Sequence, residues 1–242
     1  MTPMAIYLCH EDPELLEHGA SVVDTRPGAA VLSRSAFHPG GGGQVSDIGW
    51  ITHAGGEVDV TGIEVDGETW WHLLADPDLE IGGEVELVVD GEHRARVASL
   101  HTMSHVLNAF VFDEFEGSLV TGAQINGDGT GRMDFDLTAI DNDRLRALEA
   151  PVNEVISQGI EVRSVYVDAS EADSTDGLVR SLSVAPPPTP DGRLRLIEVE
   201  GVDRQACGGT HLSNTAQSPT FRIGKIENKG KRSRRIRFRL ET

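Results

Sequence analysis

The chain has 242 residues, 38 % of them hydrophobic and 25 % charged, with two cysteines and a formal net charge of −18. That length can bury one large core or two small ones, and the composition is ordinary for a globular protein. No run approaches the ~18 apolar residues of a membrane span, two distant cysteines make no disulfide framework, and so acidic a balance argues against a general polyanion binder.

The opening stretch, MTPMAIYLCHEDPELLEHG, has no basic segment leading into an apolar run. No secretory signal is therefore expected, and the expected compartment is the cytoplasm. Residues 1 to about 90 read as β-rich: short apolar runs such as GAAVLSRSAF, VDVTGIEV and GEVELVV alternate with Gly, Asp and Pro turns. Such close spacing suits a small antiparallel barrel or sandwich. Among these runs lies FHPGGGGQVSDIGW, residues 37 to 50, whose consecutive glycines permit either a flexible turn or close approach to a ligand.

At DGEHRAR, residues 90 to 96, the character changes. A stretch without Gly or Pro from about Arg94 to Phe112 predicts a helix. A second helix is predicted over Asp143 to Gln158, kinked or restarted at Pro151. IEVRSVYV and RLRLIEVE read as strands, with VAPPPTPDGR between them as a loop. The closing FRIGKIENKGKRSRRIRFRL reads as two strands joined by a basic turn, and this half is α+β. Between Arg222 and Thr242 stand nine Lys or Arg and two Glu, so +7 is concentrated there and −25 lies on the rest. Arg235, Arg237 and Arg239 alternate with Ile236, Phe238 and Leu240, as in a packed strand with one basic face.

The first helix carries HTMSH, which places His101 and His105 one turn apart on the same face. Leu100, Met103, Leu107 and Phe110 form the apolar stripe, and the histidines fall nearly opposite, beside Ser104 and Asn108. Far along the chain, CGGTHLS sets Cys207 and His211 four positions apart. Each pair alone is as readily two satisfied core residues, but together they offer three imidazoles and one thiolate, the number and softness that a tetrahedral zinc ion accepts. A metallopeptidase is excluded, because Thr102 stands where that motif has its glutamate base. Four protein ligands close a structural site, whereas catalysis needs a loosened ligand or a fifth position.

HTMSHVL, GAQINGDGTGRMDFD and CGGTHLSNT resemble the editing domain of alanyl-tRNA synthetases and its free-standing AlaX relatives. FHPGGGGQVSDIG is similar to the glycine motif in the N-terminal barrel of AlaX-M members, and KGKRSRRIRF to the family's closing segment. The HxxxH and CxxxH pairs are also shared with the threonyl-tRNA synthetase editing domain. The resemblance implies an α+β architecture, with a small antiparallel β-barrel over 1–90 followed by a zinc-binding editing domain over 91–242. It implies Zn2+ held by His101, His105, Cys207 and His211, and a trans-editing hydrolase that cleaves serine, or else glycine, from mischarged tRNA(Ala).

The family's side-chain-sensing position falls on Thr121, whose hydroxyl could bond a seryl hydroxyl where alanine offers none. Ser104 keeps the hydroxyl that synthetase domains carry as threonine. Gln44 and the Gly41, Gly42 and Gly43 backbone are expected to fold over the pocket, and Lys229, Lys231, Arg232, Arg234 and Arg235 to hold phosphates. The metal would either acidify water towards pKa ~7 or fix the substrate's amino group. Competing readings are a tRNA-binding module with a structural zinc and no turnover, and threonyl-type editing of Ser-tRNA(Thr).

Overall fold

A computed structural model describes residues 6–137, 141–168 and 192–241, with the single positions Leu178 and Arg180. The proline-rich loop expected at 184–193 lies almost wholly outside the described residues. The chain divides into two compact units, 1–41 with 45–95, and 42–44 with 96–242.

In the first unit the strands are β1 (Ile6–Tyr7), β2 (Glu17–Arg26), β3 (Ala29–Leu32), β4 (Arg34–Ser35), β5 (Gly49–His53), β6 (Gly56–Asp66), β7 (Thr69–Leu74) and β8 (Glu84–Val89). Six of them close a barrel in the order β2-β3-β7-β6-β5-β8, every neighbour antiparallel. The alternation read from VDVTGIEV and GEVELVV is the alternation of burial along β6 and β8. Leu32, Phe37, Ile51, Val60, Leu74, Leu87 and Val89 fill the interior, each such side chain contributing about 1.5–3 kcal/mol. Closing the sheet leaves no edge to template aggregation.

Two clusters of polar groups are buried in this unit. Arg94, at the beginning of the helix that follows β8, donates to both carboxylate oxygens of Asp47 and to the carbonyls of Pro13 and Ala36. Asp47 also accepts from the backbone N–H of His38, so the ends of the glycine-rich loop are fastened together. His72 is held between Ser35 Oγ at 2.7 Å and the Ala30 carbonyl at 3.3 Å. Since the carbonyl only accepts, Nδ1 carries the proton and Ser35 donates to Nε2. Burial pushes the His72 imidazole down to about 4.

Helix α1 (Gly91–Glu114) starts where Asp90 Oδ1 accepts from the His93 N–H, an aspartate N-cap. It stops where Glu116, at φ 53, turns the chain left-handed and Gly117 N–H bonds back to the Phe112 carbonyl. The expected one-sided stripe is not what this helix shows. Every residue from Val97 to Ala109 is buried, histidines included, and Phe110 is only half-buried. The polar face is enclosed because the rest of the second unit packs against it.

That unit contains a four-stranded antiparallel sheet in the order β14-β15-β10-β9, formed by β9 (Leu119–Ile125), β10 (Thr130–Asp136), β14 (Thr220–Asn228) and β15 (Ser233–Glu241). Phe135, Phe221, Ile236 and Phe238 are buried on it. A second sheet, β11-β12-β13, is made by β11 (Val162–Asp168), β12 (Arg193–Val199) and β13 (Asp203–Ala206), also antiparallel. Between β10 and β11 come α2 (Asn142–Ala147) and α3 (Glu149–Gln158). The break falls at Leu148 rather than at Pro151. Proline collides with the carbonyl four residues earlier, so Pro151 restarts a helix in whose first turn its missing N–H costs nothing. The whole is α+β with an antiparallel barrel at its N-terminal end.

Candidate metal centre

The two histidines of α1 and the two ligands of the CGGTH loop meet. One donor atom from each of His101, His105, Cys207 and His211 lies within 4.8 Å of the others, and all four residues are buried. Cys207 Sγ is 3.4 Å from His101 Nε2 and 3.3 Å from His211 Nε2. Bonds of ~2.3 Å to sulfur and ~2.0 Å to nitrogen at tetrahedral angles put such atoms about 3.5 Å apart.

What stands behind each ring decides which nitrogen faces inwards. His101 Nδ1 is 2.7 Å from Gln44 Oε1, which also accepts the Thr210 N–H at 3.0 Å, while Gln44 Nε2 donates to Thr210 Oγ1 at 3.0 Å. That double engagement fixes the amide orientation, so His101 Nδ1 is the protonated nitrogen. Thr102 spends its one hydroxyl proton on the Ala98 carbonyl at 2.8 Å. It can therefore only accept from His211 Nδ1, 3.2 Å away, and from Leu212 N–H at 3.1 Å. The Asp203 carboxylate lies 3.3 Å from His105 Nδ1, a charge contact rather than an aligned hydrogen bond. His101 and His211 thus keep their Nδ1 protons outward and turn Nε2 towards the sulfur, while His105 presents Nδ1 to Asp203.

Three lone pairs and a thiol concentrated in a buried space have too few protons to satisfy one another. Burial alone would raise the Cys207 thiol, but His101, His211 and His105 outweigh it and hold it well below its ordinary value. Burial and the neighbouring His101 press His211 down. Burial works against the charge on His105 too, yet the thiolate and Asp203 raise it to about 10. The cluster thus favours negative charge on the sulfur and positive charge on the imidazole side, a balance into which a bound cation fits. A buried His3Cys group of this kind could hold a metal ion, and its donors suit zinc.

Glycine makes the approach possible. A Cβ on Gly209 would strike the His101 ring, and one on Gly43, at φ 95, would stand 2.5 Å from the Ala123 carbonyl. Gly43 and Gln44 are tied to β9 by the Ile125 N–H bond to the Gly43 carbonyl at 2.7 Å. Gly41 and Gly42 are exposed, with open space where a Cβ would be. Ser104 gives its hydroxyl to the His101 carbonyl at 2.7 Å, within the helix.

Thr121 stands at a bulge of β9, where Gly122 faces Asp134 and Val120 faces Phe135. It is exposed and donates to the Asp134 carbonyl at 3.2 Å, and among the described residues no hydrogen bond joins it to the histidine cluster.

The basic face expected on β15 exists, but it is matched by acids. Arg235 grips Asp134 through two 2.7 Å bonds, Arg237 reaches Glu227 at 3.2 Å and Arg239 reaches Glu241 at 2.5 Å. Arg232 holds Asp136. Arg234 is buried and donates to Asn228, Gly230 and Ser233, closing the β14–β15 turn. Lys229 lies 3.9 Å from Glu227, and Lys231 is exposed at the turn.

Sequence reasoning missed the residues that back the cluster. Asp203, bridged to Arg180 at 3.0 Å, also accepts from Gln205 at 2.6 Å, whose amide oxygen receives Asn108 of α1 at 2.7 Å. Arg195 donates to the Cys207 and Gly209 carbonyls and so shapes the loop that carries the thiol. The signal was the run GVDRQACGG, with polar residues at alternate positions before the cysteine.

A closed barrel and an α+β unit enclosing a buried three-histidine, one-cysteine group define an α+β protein with a candidate metal centre. A family model described as the threonyl and alanyl tRNA synthetase second additional domain matches residues 194–237. The chain is 35 % identical over 219 residues to the alanyl-tRNA editing protein AlaX-M of Methanosarcina acetivorans, covering 87 % of this chain and 88 % of that protein. It is 30 % identical over 234 residues to AlaX-M of Saccharolobus solfataricus, covering 96 % and 97 %. Alanine–tRNA ligase of Korarchaeum cryptofilum is 36 % identical over 91 % of this chain, which corresponds to 24 % of the ligase. The chain belongs to the AlaX-M family of alanyl-tRNA editing proteins.

Proposed function

We propose that this protein is a zinc-dependent trans-editing deacylase that hydrolyses the ester joining serine, or glycine, to tRNA(Ala). The observation that carries the reading is the convergence of three buried imidazoles, two of them hydrogen-bonded at Nδ1, and a cysteine sulfur in a member of an editing family. In this reading residues 1–90 are the barrel domain and 91–242 the editing domain, and the protein works in the cytoplasm. Among the described residues, no helix is long and apolar enough to cross a membrane.

His101, His105, Cys207 and His211 would hold the ion. Zinc there supplies a Lewis-acidic charge beside the ester. Gln44, Thr102 and Asp203 keep the three rings aimed, and Gly43 and Gly209 allow the backbone close enough to exclude bulk water. Thr121 has given its proton to the Asp134 carbonyl, so its remaining lone pair would accept the seryl hydroxyl. A site that bonds a hydroxyl rejects the analogue without one by up to ~10⁴. With the β15 arginines paired to acids, Lys229 and Lys231 at the turn are the groups best able to take up phosphates, with Arg232 and Arg235 doing so by exchange. Arg234 supports the turn.

The test is deacylation of Ser-, Gly- and Ala-tRNA(Ala) and of Ser-tRNA(Thr), with and without a chelator. Release of serine or glycine from tRNA(Ala), abolished by chelation and by Cys207→Ala in a folded protein, is the expected result. Retention of tRNA without release would instead identify a binding module with a structural metal, and release from Ser-tRNA(Thr) alone a threonyl-type editor.

A further inference from the structure

Tyr166 is one of two large hydrophobic side chains exposed among the described residues, at 37 %. It lies on β11, the edge strand of its sheet, and its position there is specific. Tyr166 pairs directly with Arg195 on β12. Arg195 lies opposite Cys207, whose N–H bonds to the Arg195 carbonyl at 3.2 Å, one step beyond the Leu196–Ala206 pair. Directly paired residues of antiparallel strands share a face. Tyr166, Arg195 and Cys207 therefore form one cross-strand row, on the face where Asp203 meets His105 and Gln205 meets Asn108 of α1.

Along β11 this face passes from covered to open. Val162 is buried, while Ser164 and Tyr166 are exposed. Two strand spacings put the Tyr166 backbone about 10 Å from that of Cys207. The guanidinium of Arg193 stands 5.3 Å from the Tyr166 ring centroid, a cation–π arrangement that stiffens the ring. An exposed aromatic ring backed by arginine, in a cross-strand row that ends at Cys207, has the chemistry of a nucleobase-stacking platform.

Resting on the deacylase reading, we propose that Tyr166, backed by Arg193, stacks the terminal adenine of the aminoacyl-tRNA. The scissile ester and that base are separated by a single ribose, the kind of separation that the row from Cys207 to Tyr166 spans. Stacking tolerates any base, and the shared 3′-terminal adenosine requires no reading of sequence, so the subsite adds affinity and positions the ester without selecting the tRNA.

The experiment uses the full chain loaded with zinc and two stable probes. One is 3′-deoxy-3′-(L-serylamino)adenosine, an amide in place of the ester, and the other is the same compound with hydrogen replacing adenine. Calorimetric titration should show the base-bearing probe bound about tenfold more tightly. Tyr166→Ala should erase that preference and Tyr166→Phe retain it, with zinc content unchanged in both. Equal binding of the two probes by the parent protein, a preference that survives Tyr166→Ala, or no binding of either probe by protein that still deacylates Ser-tRNA(Ala) would overturn the subsite alone. Failure of the parent protein to deacylate any mischarged tRNA(Ala) overturns the deacylase reading, and the subsite with it.

Discussion

Gln44 and Thr210 hold each other by both ends of the glutamine amide, and the oxygen left facing inwards takes the His101 Nδ1 proton at 2.7 Å. Gln44→Ala should therefore free the ring of His101 and weaken zinc binding by 10–100-fold, the usual cost of losing a group that orients a ligand. Competition against a chromophoric chelator measures it. An unchanged zinc affinity would show that His101 is aimed by packing alone.

Asp203 stands behind His105 as Gln44 does behind His101, but with a charge and with Arg180 as its counter-ion. Asp203→Ala should lower zinc affinity by a similar 10–100-fold and also destabilise the fold, because it removes the buried carboxylate that Arg180 bridges at 3.0 Å. Asp203→Asn keeps an acceptor for Nδ1 and should recover part of the zinc affinity but not the lost stability. Chelator competition and denaturant unfolding, run on both variants, separate the two effects.

His72 gives the barrel a pH dependence of its own. Burial holds its imidazole at about 4, against an ordinary value of 6.5. Between those values the unfolded chain binds a proton that the folded chain refuses, so stability is full above about 6.5 and falls as pH drops towards 4. A shift of that size corresponds to up to about 3 kcal/mol. Urea unfolding at a series of pH values should show this loss, and His72→Gln should flatten it over that window. An equal slope in the variant would assign the loss to other groups.

Lys229 and Lys231 carry the salt dependence in the proposed tRNA contact. Replacing both by alanine should weaken tRNA binding and reduce the slope of log affinity against log salt by about two. Arg235→Ala should cost stability instead, since its guanidinium braces Asp134 across β10 and β15. Filter binding at four or five salt concentrations distinguishes the roles, and an unaltered slope in the lysine double variant would move the phosphate contact elsewhere.

Much of the architecture was legible because it follows from alternation and spacing. The runs VDVTGIEV and GEVELVV specify strands without any knowledge of their partners, and the basic alternation of β15 likewise specifies one. The four residues of the cluster were legible from donor type and the i, i+4 interval alone. The runs alone left barrel and sandwich open; the family resemblance implied the barrel, and the pairing of β2 with β8, far apart in the chain, closes it. The helical wheel misjudged α1 because it assumes that a polar face meets water, and here that face meets Gln205, Asp203 and His211. The tandem of Asp134 and Arg235 was hidden for a similar reason: a count of charges shows a basic tip, but the register of β10 against β15 sets carboxylates beside the arginines.

With Nδ1 of His101 and of His211 engaged by Gln44 and Thr102, and Nδ1 of His105 beside Asp203, binding an ion through the opposite nitrogens would leave no imidazole of this centre to shuttle protons. In the deacylase proposed above, the proton lost by the attacking water would then depart through solvent or through the amine and hydroxyl of the aminoacyl-ribose, so that the substrate would take part in its own cleavage.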